Sequence, residues 1–144
     1  METVRHAVKG DMGTIRSILF ECGLPNDDFG DEDVTFLLAE SDETIIGTIG
    51  LESYPPLGLL RSAAVLQPFR DRGIGAILVD ALVREALSRS LGELVLLTTT
   101  AEKYFGKMGF TRIGRETLGG PILLSGQFTG TRCSSAAVMT LKLR

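Results

Sequence analysis

The sequence predicts an α/β fold in which a mixed β-sheet, containing one parallel pair of strands, is flanked by helices. Three observations carry this. The stretch from Leu59 to Leu97 reads as strand, long amphipathic helix and strand, and such a crossover joins parallel neighbours through a right-handed connection. Upstream of it, two β-rich runs are separated only by Ser41-Asp42-Glu43, so the sheet also contains antiparallel pairs. The chain has 144 residues, 44% apolar and 23% charged, which suits one core better than two and predicts a single domain over 1–144.

Val4, His6 and Val8 suggest a short first strand, after which Asp11 is a natural N-cap for a helix carrying Ile15, Ile18 and Leu19 at helical spacing. Gly23 and Pro25 should end that helix. Asn26 to Asp33 holds five acidic residues and reads as a solvated loop or short helix. Phe36 to Glu40 and Ile45 to Glu52 form a hairpin, and Pro55-Pro56 is expected to interrupt the ladder before a strand from Leu59 to Val65.

From Gly73 to Ser90 the period becomes helical: Ile74, Ile77, Leu78, Ala81 and Leu82 share a face, while Asp80 with Arg84 and Glu85 with Arg89 stand four apart elsewhere. Leu94-Val95-Leu96-Leu97 is continuously apolar, as a strand covered on both faces should be. Ala101 to Met108 reads as a short helix closed by Gly109, and Phe110 to Arg115 as the next strand. Gly119-Gly120-Pro121 opens an irregular excursion, and Ala136 to Leu143 is the last strand. Seven strands result, and the last ones offer an edge suited to a homodimer.

Composition excludes several function classes. The net charge is −3 and the basic residues are scattered, so the footprint of a nucleic-acid binder is missing. Met1 to His6 lack the apolar stretch of a signal peptide, and no later run approaches the ~20 apolar residues of a bilayer span. No membrane partner and a cytoplasmic location are therefore expected. Cys22, Cys133 and the single His6 are too few for a grouped metal site, so no metal is expected and all three read as structural.

The most informative segment follows Val65. Arg70-Asp71-Arg72-Gly73-Ile74-Gly75 leads from a strand into the long helix, where free N–H groups and the positive end of the macrodipole attract phosphate. Two glycines allow the backbone to approach an anion closely, and two arginines add charge-assisted bonds. A Rossmann fingerprint would need Gly or Ala where Leu78 stands, and no Gly-x-x-x-x-Gly-Lys occurs, so dinucleotides and nucleoside triphosphates are disfavoured.

The run from Leu60 to Gly75, together with Tyr104-Phe105-Gly106-Lys107-Met108-Gly109-Phe110, resembles the GNAT family of N-acetyltransferases over nearly the whole chain. Within it the chain is similar to arsenic-resistance N-acetyltransferases, through Leu60 to Ser62, Leu96 to Glu102 and Cys133 to Met139, and to short N-acetylglutamate synthases. The resemblance implies a GNAT fold and an enzyme that transfers the acetyl group of acetyl-CoA to the amine of a small molecule, by direct attack in a ternary complex. It also implies that the backbone from Arg70 to Gly75 holds the pyrophosphate, that the N–H of Ala64 or Val65 polarises the thioester with Ala63 beside it in the cofactor site, and that pantetheine lies between the strands ending at Val65 and Thr98.

The general acid is where the chain departs from the family. The position that many members fill with tyrosine is Phe105. Tyr104 is then the candidate acid, although it lies about 100° away around a helix. Glu52, at a strand end, is the candidate base, and Arg61 is the candidate for meeting a substrate carboxylate, with a structural ion pair as its other reading. Phe105 also motivates an alternative in which the chain is a non-catalytic acyl-CoA-binding sensor.

Overall fold

The computed structural model describes residues 2–26, 34–129 and 136–143. In chain order it contains β1 (Glu2–His6), α1 (Met12–Glu21), β2 (Val34–Ser41), β3 (Thr44–Tyr54), β4 (Leu57–Val65), α2 (Ile74–Ser88), β5 (Glu93–Thr98), α3 (Glu102–Lys107), β6 (Thr111–Ile113), α4 (Gly126–Thr129) and β7 (Ala137–Lys142). Seven strands form one sheet in the order β1-β2-β3-β4-β5-β7-β6. Only β4 and β5 are parallel, and α2 is the crossover between them. The expected mixed sheet with a parallel pair flanked by helices is the fold observed.

Side-chain alternation decides which layer each helix covers. On β2, Phe36 and Leu38 pack with Ile15, Ile18 and Leu19 of α1, whereas Leu37 and Ala39 join α2 residues Ile74, Leu78, Val79, Leu82 and Ala86. Successive residues of a strand thus feed opposite faces, so the sheet is covered on both. A third cluster, Leu59, Val95, Val138, Ile122 and Phe128, seats the excursion before β7.

Several local expectations are corrected. The first strand ends at His6, because the Val8 N–H turns away to the Asp11 carboxylate at 2.7 Å. Asp11 precedes α1 but does not cap it with its side chain; its two oxygens are taken by Val8 and by Arg5. Pro55-Pro56 does not interrupt the ladder: it forms a hairpin turn with a cis peptide bond, and Tyr54 pairs directly with Leu57. On α2 the buried stripe includes Val79 and Ala86, while Ile77 is exposed. The strand expected from Phe110 to Arg115 shortens to Thr111–Ile113. β7 lies inside the sheet, between β5 and β6, so the edges are β1 and β6. Cys133 and the acidic residues from Asp27 to Asp33 lie outside the described residues.

Candidate active site

β4 and β5 pair only through Leu57 with Glu93, Gly58 with Leu94 and Leu59 with Val95. Beyond those pairs β4 stays with β3 as far as Val65, opposite Gly47, and β5 stays with β7 as far as Thr98, opposite Ala137. The two strands therefore part toward their C-terminal ends, and the sheet opens into a cavity of about 640 Å³. In parallel α/β sheets this is the end at which ligands bind.

Of the residues expected at a site, Arg61, Ala63, Ala64, Val65, Arg70, Asp71, Gly73, Ile74, Gly75, Thr98 and Tyr104 line this cavity, and Glu52 and Arg72 do not. The loop into α2 begins with a single 3₁₀ turn at Gln67–Phe69. Asp71 and Gly73 then adopt left-handed conformations, φ 64° and 79°. The Arg70 N–H is bound to Gln67 and the Ile77 N–H to Gly73, while none of the N–H groups between them closes a turn bond among the described residues. A run of unsatisfied donors at a helix start, bent by alternating backbone handedness, is an anion cradle.

The arginines flank the cradle differently. Arg70 lies back across the end of β4, donating from Nε to the Val65 carbonyl at 2.8 Å and from Nη2 to Cys22 Sγ at 3.6 Å. Arg72 stacks its guanidinium 5.4 Å from the centre of the Phe69 ring. A Cβ at Gly75 would collide with the Tyr104 hydroxyl where that half-exposed side chain now lies, so the two residues share one space.

On the β4 side the register slips. Thr48 pairs with Ala64 and Gly50 with Arg61, so Ser62 and Ala63 together oppose Ile49 in a bulge. Ser62 is left-handed, φ 55°, and its carbonyl accepts the Thr48 hydroxyl at 2.8 Å. Bulges re-aim backbone groups beside active sites, and this one turns the Ser62–Val65 segment along the cavity wall.

Glu52 and Arg61 form a buried ion pair of 2.7 Å between adjacent strands, with side chains 2% and 0% exposed. The other Glu52 oxygen accepts the Tyr54 hydroxyl, and Arg61 Nε donates to Ser62 Oγ at 3.1 Å. Glu52 therefore sits behind Arg61 rather than on the wall. Thr98 Oγ1 accepts the Ala101 N–H at 2.9 Å, which fixes the step into α3. On α3, Phe105 is buried, edge-on to both Tyr104 and Phe110 with ring centres 5.3 and 5.7 Å apart. Burial pushes the Tyr104 phenol above its ordinary value, so it is a protonated donor at neutral pH.

Sequence reasoning assigned no site role to Thr48, Ser62 and Gln127 and read Cys22 as structural, yet all four line the cavity. The left-handed Ser62 had no compositional signal, since a serine in a strand-like run reads as extended. Among the described residues no group of three or more His, Cys, Asp or Glu is arranged to hold a metal ion, and no helix is long and apolar enough to cross a membrane.

Known proteins share this architecture. The chain is 31% identical over 85 residues to the amino-acid acetyltransferase of Vibrio atlanticus, a match covering 58% of this chain and 19% of the relative. It is 32% identical over 82 residues to an uncharacterised N-acetyltransferase of Chlorobaculum tepidum, covering 56% of this chain and 52% of the relative. The matched segments thus span about a fifth and about half of those relatives. The N-acetylglutamate synthase of Neisseria gonorrhoeae, solved with coenzyme A and N-acetyl-glutamate, superposes on 100% of this chain and 35% of its own with a TM-score of 0.83 at 20% identity, a likeness of fold. Residues 12–110 match the family model of the GNAT acetyltransferases, and the chain belongs to that family.

Proposed function

We propose that this chain is an acetyl-CoA-dependent N-acetyltransferase that acetylates the amine of a small, amino acid-like molecule, acting as one domain in the cytoplasm. The observation that carries the reading is the wedge between β4 and β5 ending on the free N–H groups of Asp71 to Gly75. A long, thin ligand with an apolar arm and an anionic middle fits that shape. The pyrophosphate rests on the cradle, and the pantetheine arm runs between Ala63–Val65 and Thr98.

The chemistry asks mainly for positioning. A backbone N–H at the Ser62–Ala63 bulge polarises the thioester carbonyl, and the acceptor amine attacks it from the open side of the cavity. The departing thiol has an ordinary pKa near ~8.5, so its thiolate is a tolerable leaving group at neutral pH. Arg61 lines the cavity, but its side chain is fully buried and already paired with Glu52, so meeting an acceptor's carboxylate would require that pair to open. Glu52, bound to both Arg61 and Tyr54, serves in this reading as the counter-ion that positions it; as a base it would first have to leave those partners.

Calorimetry with CoA on wild type and Gly73→Asp, with a free-thiol assay across a panel of amines and amino acids, tests the proposal. Wild type should bind CoA, Gly73→Asp should weaken binding at least about tenfold, about 1.4 kcal/mol, and at least one acceptor should release thiol. Unchanged binding in the variant would overturn the cradle assignment. The buried Phe105, which offers no hydroxyl, favours a second reading as an acyl-CoA sensor, and tight binding with no turnover on any acceptor would select it.

A further inference from the structure

We propose that the Tyr104 hydroxyl is a hydrogen-bond donor to the diphosphate of the cofactor, docked beside the cradle in the space that Gly75 leaves by lacking a side chain. This rests on the acetyl-CoA reading above and gives Tyr104 a binding role in place of proton transfer to the thiolate.

Three observations place the hydroxyl there. First, Tyr104 Oη lies so close to Gly75 that a Cβ would collide with it, and that Cβ would also fall 3.1 Å from Tyr104 Cζ. The two residues are complementary in shape, and Gly75 belongs to the first turn of α2, whose N–H groups face the ligand. Second, the ring is held in place: Tyr104 meets Phe105 edge-on at 79°, and Phe105 in turn meets Phe110 at 70°. Third, Tyr104 lines the cavity at its mouth, 45% exposed, and none of the side-chain hydrogen bonds among the described residues uses its hydroxyl. A fixed, unengaged donor beside six residues of anion cradle is arranged to complete it.

The place also argues against proton transfer to sulfur. The bulge that would hold the thioester lies two to three residues before the end of β4, about 7–10 Å at the rise of a strand, whereas Gly75 lies beyond that end. A phenol raised by burial is moreover a weaker acid than the thiol it would protonate, so the transfer runs uphill. Donation to an anionic oxygen needs no transfer and is a charge-assisted bond.

Tyr104→Phe keeps the ring and its packing and removes only the donor. Calorimetry should find CoA and 3′-dephospho-CoA, which both carry the diphosphate, weakened equally by about tenfold. Pantetheine, followed by chemical-shift titration, should bind wild type and variant alike. The KM for acetyl-CoA should rise about tenfold, and the pH profile should keep its alkaline limb. Unchanged CoA affinity, an equal loss for pantetheine, or a lost alkaline limb with unchanged affinity would each overturn the proposal, the last by making Tyr104 the general acid. Gly75→Ala supplies an independent check. It should weaken CoA binding more in wild type than in the Tyr104→Phe background, and additive effects would count against the pairing. A wild-type protein that does not bind CoA at all overturns the acetyl-CoA reading itself, a result distinct from all of these.

Discussion

Arg61 and Glu52 form an ion pair sealed between two strands, a partnership that the sequence left as one of two readings of Arg61. Both side chains are essentially removed from water, and each supplies the charge that the other needs. Removing one partner of such a pair leaves a buried charge without compensation, which costs about 3–5 kcal/mol. Arg61→Met should therefore lower the urea midpoint sharply, and adding Glu52→Gln should recover part of the loss; a single variant as stable as wild type would show the pair to be unimportant. Nine positions separate the two residues, and two readings of Arg61 were open from sequence because the bulge decides which β4 residue lies beside which β3 residue. That bulge rests on Ser62 being left-handed, which is settled by the neighbouring strand and not by serine's own preference. The Asp71 and Gly73 conformations were partly foreseeable, since glycine marks one of them.

At the scale of elements, the parts that were legible are those whose own periodicity is long enough to dominate. α2 repeats its apolar stripe over four turns and keeps both predicted i,i+4 pairs, Asp80–Arg84 and Glu85–Arg89. Short or junctional pieces were decided by partners distant in sequence. Asp11 looked like a helix cap, yet its carboxylate joins β1 to the start of α1 through Arg5 and the Val8 N–H. The Arg5 hydrogen bond, followed by that of Val8, holds Asp11 below the ordinary carboxylate range. A depressed folded-state value means that the unfolded chain binds the proton more readily, so the stabilisation is complete above the ordinary value near ~4 and is lost as pH falls through the depressed one. Asp11→Asn should accordingly reduce stability at neutral pH and flatten the acid limb of the stability profile below about pH 4. An acid limb unchanged from wild type would show that the junction contributes nothing.

For the whole molecule, the parting of β4 from β5 is the origin of the cavity and leaves a short seam inside the sheet. The half containing β1 to β4 and the half containing β5 to β7 share one strand pairing of three residue pairs, Leu57–Leu59 with Glu93–Val95, plus the packing of α2 on one face and of Ile122 and Phe128 on the other. A parallel pair was legible from the strand, helix and strand pattern, but its divergence was not, because the apolar runs of Leu59 to Val65 and Leu94 to Leu97 continue past the point where pairing stops. In the proposed function the cofactor bridges that seam. A ligand present at 100 times its Kd stabilises the folded state by about 2.7 kcal/mol, which for a chain of this size raises Tm by about 5–15 °C. CoA should produce such a shift in wild type and much less in Gly73→Asp. Hydrogen exchange should slow on both sides of the wedge together, in Leu60–Val65 and in Leu96–Thr98, because one ligand closes both. Protection confined to the loop at Asp71–Gly75, with no slowing in β5, would mean that the ligand sits on the cradle without entering the wedge, and the path assigned to pantetheine would have to be abandoned.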